Sequence, residues 1–107
     1  MGQASRATSA RLAEKLTQIR LALGLSQNEL IRRMNLEEEL TQARISAYER
    51  GVREPTLLVL LSYARVAGVY ADALIDDDLD LPSTLPAKPK SEGIRRKSRL
   101  QSKARNK

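Results

Sequence analysis

Apolar residues at Leu12, Leu16, Ile19 and Leu23 recur at the spacing of one helical face, and Gly24 follows where a left-handed residue closes a helix. The pattern predicts a first helix over about 11–23. A second is expected from Gln27, with Leu30, Ile31 and Met34 facing inward. Its start is marked by Ser26 and Glu29, spaced as a capping box: the Ser26 hydroxyl accepts from the Glu29 amide, and the Glu29 carboxylate reaches back to the Ser26 amide. Thr41 is placed to cap a third helix beginning at Gln42, with Leu40 and Ile45 disposed as a hydrophobic staple that fixes the direction in which the chain enters it. That helix is expected to bury Ile45 and Tyr48, to end near Arg50 and to stop at Gly51. Pro55 and Thr56 open a fourth, whose Leu57, Leu60, Leu61, Ala64 and Ala67 read as an apolar stripe ending at Gly68. A short fifth helix from Ala71 to Ile75 contributes Leu74, and Asp76, Asp77, Asp78 and Pro82 mark the end of the domain.

Two short, capped helices in tandem, the second with polar residues at its tip, suit a helix that must be aimed. The segments Leu23-Gly24-Leu25-Ser26-Gln27-Asn28-Glu29-Leu30, Ile45-Ser46-Ala47-Tyr48-Glu49-Arg50-Gly51 and Glu54-Pro55-Thr56 resemble the Cro and lambda-repressor type of helix-turn-helix, the XRE family. The resemblance covers roughly Leu12 to Ile75 and implies an all-α, compact five-helix lambda-repressor-like DNA-binding domain. In such a fold the third helix lies in the major groove, where each base pair displays its own donor and acceptor pattern. The positions that would meet base edges are Thr41, Gln42, Ala43, Arg44 and Ala47. Gln42 suits adenine N6 and N7, and Arg44 suits guanine O6 and N7; the two alanines touch thymine methyls or leave room. Gln27, at the positive end of the second helix, and Arg53, just beyond the third, are the expected phosphate contacts. Arg20 and Glu49 are implied to form a structural ion pair between the first and third helices.

The chain departs from the family between helices two and three, where the usual turn is short. Here Asn35-Leu36-Glu37-Glu38-Glu39 adds about four or five residues. The three glutamates are expected to point away from the phosphates or to extend helix two, as a solubilising loop or as a restraint on non-specific binding. The insertion also leaves the register of the third helix open by about a residue.

Charge changes the picture once it is located. The 107 residues carry a formal net charge of +6, but nine of the nineteen Lys and Arg lie in residues 88–107 beside a single acid, Glu92. Residues 1–87 therefore hold ten basic and twelve acidic residues. The helical part is not basic, so nucleic-acid affinity must come from a few placed arginines or from the tail. The expected organisation is a flexible N-terminal arm over 1–10, the helix-turn-helix domain over 11–81, and a disordered Pro/Ser/Lys/Arg-rich basic tail over 82–107.

The absence of cysteine and histidine removes disulfides, thiol catalysis and the commonest general base and metal ligand. Asp76-Asp77-Asp78 with Asp80 lacks the glycine and terminal glutamate of a calcium loop and reads as a solvated helix exit. No nucleophile stands beside a base at a recognisable spacing, so no catalysis, cofactor or metal is expected. The longest apolar run is far shorter than a membrane span, and the N-terminus lacks a signal core. A cytoplasmic, nucleoid-associated protein of bacterial, phage or plasmid origin is expected, with no small-molecule ligand because no room for a ligand-binding domain follows Ile75.

The partners expected are double-stranded DNA and a second copy. The favoured function is a transcription regulator, more readily a repressor than an activator, binding a palindromic operator as a homodimer. Val69, Tyr70, Leu79 and Leu81 are the candidate dimer surface, and Tyr63 belongs to the core or to that surface. One alternative is an antitoxin that autoregulates its operon while the tail or Leu79 to Leu85 wraps a toxin partner. The other is a nucleic-acid-associated adaptor acting through the basic tail.

Overall fold

The computed structural model describes residues 9–87, and the arm and basic-tail expectations for 1–8 and 88–107 lie outside them. Five α-helices follow in order: α1 Leu12–Ala22, α2 Gln27–Arg33, α3 Gln42–Glu49, α4 Leu57–Ala67 and α5 Asp72–Ile75. No strand occurs among the described residues, and none of their helices is long and apolar enough to cross a membrane. The protein is all-α, with α1 packed against α3, α4 and α5, and α2 against α3. Leu16, Ile19, Leu30, Ile45, Tyr63 and Leu74 are fully enclosed where these helices meet.

Four helices end in the same way. At α1, α2, α3 and α4 the chain turns through a left-handed residue, and two amides beyond the helix donate to carbonyls of its last turn, the Schellman arrangement. For α2 these are Asn35 N–H to Arg32 O at 3.0 Å and Leu36 N–H to Ile31 O at 3.1 Å. Glycine supplies the left-handed residue at three of the ends, and Asn35, with φ 60°, supplies it at the fourth. Asparagine tolerates this conformation because its short polar side chain bonds locally. The stop at Asn35 excludes an extension of α2 through the inserted glutamates. Leu36 and Leu40 instead turn inward around a single hydrogen-bonded turn, leaving Glu37, Glu38 and Glu39 exposed.

Helix α4 is rotated from the expected stripe. Val59, Leu60, Tyr63, Ala64 and Ala67 face the core, whereas Leu57 is 81% exposed and Leu61 37%. Only Ser62 and Arg65 interrupt the apolar run of this helix, so spacing alone does not fix its phase. Tyr63 decides it by filling the centre of the domain. Two of the expected dimer-surface residues are also corrected: Val69 and Leu81 are half-buried against the core, and only Tyr70 and Leu79 are exposed. Val69 follows the left-handed Gly68, where an apolar residue folds back on the helix end.

Packing continues past Pro82. Leu85 lies against the core, and the Ala87 amide donates to Ala67 O at 2.8 Å across the end of α4. The approach is close enough that a Cβ at Gly68 would collide with the Ala87 carbonyl.

Candidate nucleic-acid interface

Helix α3 is fixed from behind and open at its tip. Thr41 Oγ1 accepts from the Arg44 amide at 3.2 Å, while Leu40 and Ile45 are buried on either side of the cap. Ile45 and Tyr48 anchor the inward face. Thr41, Gln42, Ala43 and Arg44 are exposed on the first turn, and Ala47 is half-buried one turn later. Arg50 and Arg53 are exposed beyond the helix, with Arg50 Nε donating to Ser46 Oγ at 3.2 Å.

A chain of side-chain hydrogen bonds runs from α1 to the tip of α3. Arg20 donates through Nε to Glu49 Oε2 at 2.7 Å and through an η nitrogen to Glu49 Oε1 at 3.0 Å. Its other η nitrogen donates to Leu25 O at 3.0 Å, tying the same guanidinium to the turn before α2. Gln27 Nε2 also donates to Glu49 Oε1, at 3.2 Å, and Gln42 Nε2 donates to Gln27 Oε1 at 3.3 Å. Arg20 and Glu49 are 17% and 8% exposed at their side chains, so this fork is mostly out of water. The hydrogen bonds that it donates to Glu49 raise the Arg20 guanidinium above its ordinary range against the opposing effect of burial. Geometrically, the network holds α1, the start of α2 and both ends of α3 in one arrangement.

Gln27 is thereby engaged at both ends of its amide. What α2 offers a phosphate most directly is its first turn, where the capping box is complete: Glu29 N–H to Ser26 Oγ at 3.1 Å, and Ser26 N–H to Glu29 Oε1 at 2.8 Å. The Ser26 amide, as the leading cause, and its hydroxyl hold the Glu29 carboxyl below its usual range. The first-turn amides of α2 that have no intrahelical acceptor form its positive end.

Beneath the Arg20–Glu49 fork lies Tyr63, whose hydroxyl is enclosed with no hydrogen-bond partner among the described residues. Burial first, and then the Glu49 charge, push its phenol well above the ordinary range, so it is neutral at physiological pH. Among the described residues no group of His, Cys, Asp or Glu is disposed to hold a metal ion.

Three charged residues have structural tasks that sequence reasoning missed. Lys15 is fully buried, with Nζ donating to Ala73 O at 2.8 Å and Asp76 O at 2.9 Å, so it closes the carbonyl end of α5. Its signal was present: Lys15 stands between Leu12 and Leu16 on the buried face of α1. Asp76, Asp77, Asp78 and Asp80 are exposed beyond α5, as expected of a solvated exit, and Asp77 has a task in addition. Its carboxylate accepts from the Ala10 and Arg11 amides at 2.9 and 3.0 Å and from the Ser9 hydroxyl at 2.8 Å. It thus ties down the two residues that lead into α1, whose own N-cap residue Arg11 provides no side-chain cap. Arg11 returns the contact, donating to the Asp77 and Leu79 carbonyls and pairing with Asp80 at 2.9 Å.

Residues 16–74, more than half of the chain, match the helix-turn-helix family model HTH_3. No curated protein and no solved structure matches the chain. The matched stretch takes in the fork, both capped helices and the exposed tip of α3, and the chain belongs to the Cro/C1-type helix-turn-helix family, the XRE family of DNA-binding transcription regulators.

Proposed function

We propose that this chain is a sequence-specific repressor that binds a palindromic operator as a dimer through α3. The observation that carries the reading is the bonded path from Arg20 through Glu49 and Gln27 to Gln42. A side chain that reads bases gains specificity when its direction is fixed before binding, because less freedom is lost on contact. Gln42 and Arg44 read adenine and guanine, Thr41, Ala43 and Ala47 shape the contact around them, and Gln27 and Arg53 hold the backbone. Occupying a promoter is sufficient for repression, so no surface for polymerase is required. Half-site centres lie ~10 base pairs apart, one turn of the duplex.

The experiment is selection from a random duplex pool, followed by in-vitro transcription from a promoter carrying the enriched site. Enrichment of one palindrome and loss of transcript on adding protein support the proposal. Enrichment of nothing, with binding abolished when residues 88–107 are removed, transfers the function to the basic tail and its sequence-blind, salt-sensitive affinity.

A further inference from the structure

We propose that the Tyr63 hydroxyl is a reserve donor to Glu49: when Gln27 turns from Glu49 to a DNA phosphate, Tyr63 donates to that carboxylate in its place and keeps α3 aimed while the duplex is bound. Tyr63 is thus a positioning residue, acting through Glu49. The inference deepens the DNA reading proposed above and rests on it for the departure of Gln27.

The first observation is the residue itself. Tyr63 is fully buried where the helices meet, and its hydroxyl is enclosed with no partner among the described residues. A phenylalanine ring would fill the same space without that hydroxyl. Buried tyrosine hydroxyls ordinarily find a partner, so an orphan in the centre of a core points to a bond made in another state. Its surroundings name the partner. The charged groups that act on it are Glu49 and Arg20, the two halves of the fork, and Tyr48 beside it precedes Glu49 on α3.

The second observation is how Glu49 is held. Arg20 Nε donates to Oε2 at 2.7 Å, while an Arg20 η nitrogen at 3.0 Å and Gln27 Nε2 at 3.2 Å share Oε1. Of these donors Gln27 makes the longest bond and has a competing task, because its amide is the proposed phosphate contact. A carboxylate has about four lone-pair sites, so Glu49 can receive a hydroxyl once Gln27 leaves. Its side chain is only 8% exposed, which leaves little water to take that site. The phenol keeps its proton at physiological pH and turns about its C–O bond, so it enters as a donor.

Tyr63→Phe in the full chain is expected to leave the urea midpoint of the free protein at or above that of the parent, because an unpartnered hydroxyl is removed. Its affinity for the enriched palindrome should fall by on the order of 10-fold. In a Gln27→Ala background, where Tyr63 donates without DNA, the same substitution should lower the midpoint. Ultraviolet resonance Raman difference spectra, parent minus Tyr63→Phe, should show a tyrosine hydroxyl that becomes a donor on adding the palindrome; the matching pair in Gln27→Ala should show it without DNA. An equal effect of Tyr63→Phe on the melts of both backgrounds would overturn the reserve role. A destabilised Tyr63→Phe in the parent background would also overturn it, since the hydroxyl would then be bonded already in the free protein. Undiminished palindrome binding by Tyr63→Phe would overturn the exchange on DNA. If the parent chain shows no sequence preference, the DNA reading fails separately, and the DNA-free melts of the two backgrounds still decide whether Tyr63 replaces Gln27 at Glu49.

Discussion

The two ends of this domain are held by different kinds of contact. At the recognition end, α2 and α3 are set by their own caps and by a fork of charge-assisted hydrogen bonds from Arg20, mostly shielded from water. At the closing end, the start of α1 and the residues after α5 are joined by partners more than fifty residues apart: Lys15 with Ala73 and Asp76, and Asp77 with Ser9, Ala10 and Arg11. The first end couples stability to the direction of α3. The second closes the bundle without touching the reading surface. Damage at the recognition end should therefore change both stability and DNA selectivity, and damage at the closing end stability alone.

The largest effect is expected from Arg20→Ala. It leaves the largely buried Glu49 carboxylate without its principal partner, which costs about 3 kcal/mol, and it releases the Gln27 and Gln42 amides. Urea melts should show the loss, and binding should show preference relaxing together with affinity. Lys15→Met is next, at about 2 kcal/mol, because the Ala73 and Asp76 carbonyls lose their buried donor. Its discrimination between operator and random duplex should match the parent; a change there would break the division between the two ends. Gly68→Ala, with a left-handed φ of 73° and the Ala87 carbonyl in the way, should cost about 1.5 kcal/mol. Removing residues after 86 in the same background tests how much of that cost is the collision rather than the backbone.

The smallest effect is a pH dependence. The Asp77 carboxyl is held below its usual 3.8 by the Ala10 amide first, then by the Ser9 hydroxyl and the Arg11 amide. A depressed folded-state value means that the contribution is present above the unfolded value and is lost as pH falls through the folded one. Stability should therefore decline in acid below about pH 4, and Asp77→Asn should flatten part of that decline. With no histidine in the chain, no imidazole titration contributes between pH 5 and 8. Melting temperatures across pH 2–8 for parent and variant provide the check.

What could be read from the sequence follows the same division. The start of α2 and both ends of α3 were legible because Ser26, Glu29, Leu40, Thr41 and Gly51 act on amides and carbonyls within a few residues of themselves. The face of α4 was not, because an apolar helix on nearly every side has no phase until the rest of the core is assembled around Tyr63. Asp77 is solvated as expected, but its contacts were not legible because their partners lie at the other end of the chain. Asn35 was missed as a helix stop for a different reason: it does glycine's task by tolerating a conformation that asparagine only sometimes adopts. The fork between α1 and α3 was suggested by family resemblance, whereas its continuation through Gln27 to Gln42 emerged only from the assembled geometry.

The central claim is that the exposed first turn of α3 reads bases. It is tested most directly by measuring dissociation constants, at one fixed salt concentration, for the parent chain and Gln42→Ala on every single-base variant of the enriched site. The account predicts that Gln42→Ala loses about 1 to 3 kcal/mol of discrimination at one base pair in each half-site and retains it at the others. A uniform loss across all variants would make Gln42 a backbone contact and contradict the claim.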